Sequence, residues 1–139
     1  MISFYRYYNR TDLDHQHYAS LIEQLYKSNY TKDLKIIAHI IKKHPWRAYM
    51  YAKKVIKGRW LEAETNILRF PYVSFYYAKD VIKGRWPEAE SAMRREPYYA
   101  HIYATYVING RWIEAEPTIK TAHHRWCAYC KEFGIDYLI

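Results

Sequence analysis

Three pairs of glutamates are the side chains whose spacing best fits acid–base chemistry. General acid–base catalysis often uses two carboxylates held in one site. Each pair follows an arginine closely in the chain, and a catalytic site would be one asymmetric group of residues, whereas these pairs recur identically. We therefore predict that the glutamates cap helices and form ion pairs with the arginines, within or between units. The pairs are Glu62/Glu64, Glu88/Glu90 and Glu114/Glu116, beside Arg59, Arg85 and Arg111.

A second candidate is the segment 123–130, which contains histidines and both cysteines of the chain. On a helix, His123, Cys127 and Cys130 would share one face, where three zinc ligands could converge. Cys130 also takes the small, inward position of the repeat described below, where cysteine packs as an apolar residue. A single Cys-x-x-Cys is a weak zinc signal. We favour packing, and expect neither a metal nor another cofactor.

The remaining histidines do not indicate a reaction centre. They show no spacing with Ser, Cys or Asp that builds one, and the four glycines form no phosphate-binding loop. We therefore expect a protein that is not an enzyme. The residues concerned are His15, His17, His39, His44 and His101, and the glycines Gly58, Gly84, Gly110 and Gly134.

Lysines and large apolar side chains alternate at positions that we predict to face outward. Such a surface suits nucleic-acid backbones and bases, or an acidic protein with apolar pockets. A solvated lysine face, with the rings packed on neighbouring units, is an equally good interpretation of Lys53, Lys57, Lys79 and Lys83. The candidate binding residues are Tyr49, Met50, Lys53, Lys54, Lys57, Phe75, Tyr76, Lys79, Lys83, Ile102 and Tyr106.

The elements that position these residues form a tandem repeat. The stretch Val-Ile-Lys-Gly-Arg-Trp at 55–60 recurs at 81–86 and, with Asn109 in place of the lysine, at 107–112. The period is 26 residues, which is typical of stacked helical or strand units. In each unit the apolar spacing predicts two helices. We expect the glycine to end the first helix in the left-handed conformation. The predicted inward positions are Ala48, Tyr51, Ala52, Val55 and Ile56, then Trp60, Ala63 and Ile67, with their equivalents in later units.

These patterns predict one all-α domain, an α-solenoid of about four helix pairs and a C-terminal capping helix. Pro71 and Pro97 are expected to close two of the units. The predicted boundaries are an N-terminal arm at 1–10, a degenerate first repeat at 11–46, regular repeats at 47–72, 73–98 and 99–124, and the capping helix at 125–139.

Composition indicates the class of partner. The chain has 139 residues, with 22 Lys and Arg against 14 Asp and Glu, and 17 tyrosines. A net charge of +8 favours nucleic acid, an acidic protein surface or an anionic membrane face. The N-terminus lacks the apolar core of a signal peptide, and no apolar run is long enough to cross a bilayer. We therefore expect a cytoplasmic protein.

The motif Tyr-Ala-x-x-Val-Ile-x-Gly-Arg-Trp-x-Glu-Ala-Glu, at Tyr77 to Glu90, resembles a short form of the tetratricopeptide helical hairpin. That hairpin has a similar arrangement of Gly, aromatic and Glu-Ala residues. The motif is also similar to short tandem repeats in proteins of tailed bacteriophages and giant viruses. The resemblance covers about residues 21–135, and it implies binding without naming a ligand.

Two functions are therefore expected. The first is a non-enzymatic protein-binding module whose partner is an acidic protein surface or a nucleoprotein complex. Its concrete form, which the viral resemblance and the small size suggest, is a phage protein that inhibits a host defence complex, as anti-CRISPR proteins do in the host cytoplasm. The alternative is a protein that binds RNA or single-stranded DNA, with lysines on phosphates and tyrosines on bases. The sequence leaves the oligomeric state open.

Overall fold

The computed structural model describes residues 38–136, and within this range every regular element is a helix. The all-α class is therefore confirmed for this part of the chain. The predicted N-terminal arm, and the predicted degenerate repeat as far as residue 37, lie outside the described residues.

The described helices begin at intervals of the repeat period. Residues 38–41 are helical, and the helices that follow at 45, 71, 97 and 123 start 26 residues apart. Three of these four continue into a π-helical turn, and a 3₁₀ turn, Ile113–Ala115, precedes α6. The helices are α1 Pro45–Tyr51, α2 Leu61–Ile67, α3 Pro71–Tyr77, α4 Pro87–Met93, α5 Pro97–Tyr103, α6 Glu116–Lys120 and α7 His123–Phe133. The π-helical turns are Ala52–Ile56, Ala78–Ile82 and Ala104–Ile108.

Prolines begin helices here, which corrects the expectation that they close units. Pro71 and Pro97 are the first residues of α3 and α5, and the residues before them have extended backbones. Proline suits this position because its fixed φ matches the helix and its missing N–H would have no helical acceptor. Each helix pair therefore begins two residues before the predicted boundary.

The first helices end on a left-handed residue that is not the glycine. Lys57, Lys83 and Asn109 have φ values of 56°, 58° and 57°. The glycine one position later lies outside the positive-φ region, and its amide donates to a carbonyl six residues back, at 3.3 Å for Gly58 and Ala52. The predicted role of the glycine was therefore wrong, since the left-handed conformation falls on its predecessor.

Consecutive helix pairs pack against one another. Helix α3 contacts α1, α4 and α5, and α5 in turn contacts α6 and α7. The predicted inward stripe of the second helices is confirmed, because Trp60, Ala63, Ile67 and all their equivalents are buried. Ile56 was predicted to face inward but is 41% exposed. Its equivalents Ile82 and Ile108 end the same kind of π turn but are partly buried against the core.

None of the helices in the described range has both the length and the apolar character needed to cross a membrane.

Candidate binding surface

The second glutamate of each pair that suggested catalysis is held in an ion pair, whereas Glu62, Glu88 and Glu114 are exposed. The Arg59 guanidinium donates twice to the Glu64 carboxylate, at 2.8 and 2.7 Å. The same two-bond geometry joins Arg85 to Glu90 and Arg111 to Glu116. The Arg–Glu pairing expected from the sequence is therefore present, and it lies within each unit.

A tyrosine from the following unit completes each ion pair. The Tyr77 hydroxyl accepts a hydrogen bond from the Trp60 backbone N–H at 2.7 Å and donates to Glu64 at 2.9 Å. Tyr103 bridges Trp86 and Glu90 in the same way, and Tyr129 bridges Trp112 and Glu116. We call this arrangement the tyrosine bridge. Sequence reasoning had assigned the tyrosines to packing alone, although their constant distance of 17 residues after each Trp was a visible signal.

The bridges keep their carboxylates ionised. Burial alone would raise the pKa of Glu64, but the hydrogen bonds from Arg59 and Tyr77 outweigh burial and lower it. Hydrogen bonds from Arg85 and Arg111 likewise lower the pKa of Glu90 and Glu116. A carboxylate with a lowered pKa and filled hydrogen bonds is a poor proton donor at neutral pH. These glutamates therefore stabilise the structure.

The cysteine segment separates into one buried and one accessible thiol. Cys130 is fully buried in the core, and burial raises its pKa. The Cys127 sulfur lies 3.6 Å from His123 Nε2. Over residues 38–136, no three His, Cys, Asp or Glu side chains are grouped so that they could hold a metal ion.

A lysine-rich opening lies between the first two π-helical turns. It has a volume of about 580 Å³. Among its lining residues in the described range, Asp80 is the one acidic residue, and it accepts from Lys53 at 2.9 Å and from Lys79 at 3.1 Å. Both lysines keep about a third of their side-chain surface exposed. We call this opening the lysine groove; it is lined by Lys53, Lys54, Lys57, Gly58, Lys79, Asp80, Val81 and Lys83.

An aromatic opening adjoins the lysine groove and shares Lys79 with it. It has a volume of about 270 Å³ and is lined from α3 and α5 and the π turns that follow them. Tyr72, Tyr98 and Tyr106 leave 47%, 46% and 58% of their surfaces exposed. We call this opening the tyrosine slot; it is lined by Tyr72, Phe75, Tyr76, Lys79, Tyr98, Ile102 and Tyr106.

The structure divides the predicted binding residues into two groups. Tyr49 and Phe75 were expected on the exposed stripe but are only 2% and 4% exposed, because the neighbouring first helix covers that flank. Lys54, Lys57, Lys83 and Tyr106 are exposed, and the remaining candidates are partly exposed. Sequence reasoning missed Tyr72 and Tyr98. Their signal was an aromatic residue directly after the proline that begins each helix.

Tyr49 and Phe75 each contact a residue of the following unit. We call the boundary between two consecutive units a junction, and the chemistry of this contact differs from one junction to the next. Tyr49 donates to Asp80 at 2.5 Å between α1 and the second π turn. At the next junction the rings of Phe75 and Tyr106 meet edge to face, with centroids 6.4 Å apart. At the third, His101 Nε2 lies 3.0 Å from a Glu132 carboxylate oxygen. The two members are 31 residues apart in every case, and we call them the junction pairs.

Comparison of the chain with protein-family models, with curated proteins and with solved structures gives no match.

Proposed function

We propose that the helix pairs form an α-solenoid. Three observations support this: the first helices begin at a constant 26-residue interval, each pair contacts the next, and a tyrosine bridge joins every described pair to its successor. A solenoid offers a continuous face made of equivalent helices, which is how such proteins bind extended partners.

We further propose that the protein is a non-enzymatic binding module, and that its partner contacts the lysine groove and the tyrosine slot together. The observation that carries this proposal is that Lys79 lines both openings, so the two openings adjoin. Five lysines against one aspartate attract a negatively charged partner, and exposed tyrosines supply large contact areas with a polar tip. Tyrosines are also enriched at the energetic centres of interfaces.

The partner of this module is an acidic protein surface or a nucleoprotein complex. An inhibitor of a host defence complex, acting in the host cytoplasm as anti-CRISPR proteins do, is the concrete form. Its support is the resemblance to phage and viral repeats, the small size of the chain and the net charge of +8. Such an inhibitor would act by covering a surface, for which catalytic residues are not needed.

The test is affinity capture from a host lysate treated with nuclease, comparing three versions of the full chain. The wild type should retain one protein in stoichiometric amount. A K54A/K57A/K83A/Y106A variant, which removes exposed side chains of both openings, should lose it. K131A is the matched control, because Lys131 is exposed on α7 and lines neither opening. Recovery of chaperones alone, or equal recovery by both variants, would contradict the proposal.

A further inference from the structure

The second residue of the first helix is aromatic in every described unit, and these residues form a row. Trp46, Tyr72, Tyr98 and His124 occupy this position at intervals of 26 residues. At the first junction, Trp46 and Tyr72 stack with their centroids 5.3 Å apart and their planes inclined by 17°. The row therefore already contains one stacked pair of flat rings between consecutive helices.

At the second junction the corresponding space is open. Tyr72 and Tyr98 both line the tyrosine slot, and no ring contact joins these two residues of the described range. Phe75, which is nearly buried, and the partly exposed Tyr76 and Ile102 give the slot an apolar lining. Both tyrosine rings have a partner outside the lining of the slot: Tyr72 stacks on Trp46, and the Arg125 guanidinium lies 4.5 Å from the Tyr98 ring centroid. A planar ring supplied by a ligand would have preformed aromatic surfaces to stack on.

Positive charge is concentrated beside this slot and decreases in the unit that follows. The lysine groove brings Lys53 and Lys57 opposite Lys79 and Lys83. In the third unit, the positions equivalent to Lys79 and Lys83 are Thr105 and Asn109, so the charge is lost there while the Gly-Arg-Trp turn is kept. The lysine groove thus lies at the first junction and the tyrosine slot at the second, and Lys79 lines both.

We infer that the tyrosine slot stacks a base of single-stranded nucleic acid whose phosphates lie along the lysine groove. The inference rests on the proposal that this surface is a binding module, and of the partners proposed for it takes the nucleic-acid part of a nucleoprotein complex as the ligand of the two openings. A ligand that fills both must carry planar rings and several negative charges within a short length. Single-stranded RNA or DNA has both in every residue, and proteins that bind it combine basic grooves with stacking rings. An acidic peptide supplies the charge but has aromatic rings only at particular positions.

The first experiment separates bases from phosphates. Fluorescence anisotropy measures binding of the full-length protein to a labelled twelve-nucleotide oligothymidylate and to an abasic oligomer of the same length. The oligothymidylate should bind more tightly, because both carry the same phosphates and only it can fill the slot. Absence of oligothymidylate binding at low salt, or equal binding of the two oligomers, would overturn the inference.

The second experiment assigns the bases to the slot. Loss of one base–aromatic stack weakens binding about 5- to 150-fold, and we expect Y98A to have an effect in this range. Y98F, which keeps the ring, should bind like the wild type. F70A is the matched control, because Phe70 is 49% exposed and lines neither opening. Thermal melts by circular dichroism establish that each variant is folded. A folded Y98A variant that binds as tightly as F70A would contradict the assignment.

The third experiment places the phosphates. For single strands the slope of log affinity against log salt is about −0.7 per phosphate contact. The K54A/K57A/K83A variant should therefore flatten the slope by about 2, whereas K131A should leave it unchanged. A slope unchanged by the triple substitution would overturn the role of the lysine groove.

Failure of this inference can be told apart from failure of the proposed function. Nuclease treatment removes strands from the affinity capture described above. A protein partner that is retained through the same surface, with no binding of either oligomer, would reject the nucleic-acid ligand and keep the binding module. Oligomer binding that passes all three tests, without a captured protein, would support the nucleic-acid ligand and reject a direct protein partner.

Discussion

Each bridging tyrosine hydroxyl performs two tasks at a buried position. Tyr77 is fully buried, and its hydroxyl satisfies the Trp60 amide while it donates to Glu64. An amide at the start of a helix has no helical acceptor, so an unpaired donor would be left in the core without this hydroxyl. One hydroxyl oxygen therefore satisfies the amide at the start of a helix in one unit and holds the following unit against it.

Y77F should lower the free energy of unfolding by about 1–3 kcal/mol, the cost of leaving a buried polar group unpaired. Urea or thermal denaturation measures the change. Y106F is the control, because Tyr106 is 58% exposed and loss of its hydroxyl should change stability very little. Equal stability of Y77F and Y106F would show that the bridge contributes packing alone.

Part of this residue-level detail was predictable from sequence. The burial of Tyr77, Tyr103 and their alanine neighbours follows from helical spacing, and the Arg–Glu pairing follows from the charge and spacing within each motif. The burial of Tyr49 and Phe75 was not predictable. The period of one helix indicates which face is inward, but the width of that face depends on how closely the next helix approaches.

At the scale of the helix, the left-handed terminus limits the choice of residue. A residue with a Cβ costs about 1–2 kcal/mol in this conformation, and Asn adopts it more readily than most others. Lys57 and Lys83 adopt it in two units and Asn109 in the third. Both lysines at these termini line the lysine groove, so glycine, which would suit the backbone, would remove their positive charge from the groove.

K83G should therefore raise the free energy of unfolding by up to about 1 kcal/mol, since relief of strain exceeds the entropy that glycine adds to the unfolded chain. K83V should lower it, because a β-branched residue fits the left-handed region poorly. G84A is the control: Gly84 lies outside the positive-φ region, and an added Cβ would meet no atom within 4 Å. A large destabilisation by G84A, with no effect of K83V, would contradict this assignment.

The π-helical turn is the element that sequence patterns did not indicate. Residues of the first two π turns line the lysine groove. The apolar spacing of Ala48, Ala52 and Val55 fits an ordinary α-helix equally well. The periodicity therefore predicts where the helix lies, but not how its last turn widens.

For the whole molecule, the bridges and ion pairs make stability depend on pH at both extremes. The pKa values of Glu64, Glu90, Glu116 and Asp80 are lowered, so their contribution is present above the ordinary values of 4.5 for Glu and 3.8 for Asp. It is lost as the pH falls through the lowered values. Burial raises the pKa of Tyr129 to about 12 and also raises those of Tyr77 and Tyr103. Their contribution is full below the ordinary value of 10.0 and is lost as the pH rises through the raised values.

The melting temperature should therefore stay nearly constant between about pH 5 and 9 and fall on both sides. Circular dichroism from pH 2 to 12 measures the profile. Y77F should show a shallower loss on the alkaline side, because one buried phenol no longer titrates. A Tm that rises as the pH falls below 4, or that rises as the pH is increased above 10, would show that the signs are wrong.

The junction pairs bear on how many units the chain can contain. Duplication of residues 73–98 would preserve every described tyrosine bridge, since each bridge needs only the tyrosine that follows 17 residues after its Trp. The duplicated unit would, however, place the buried ring of Phe75 opposite a second copy of Asp80, which would then lack the hydroxyl that Tyr49 donates. The residues that all units share are therefore compatible with any number of units. The junction pairs differ between units, so a change in the number of units would destabilise the protein by mismatching them.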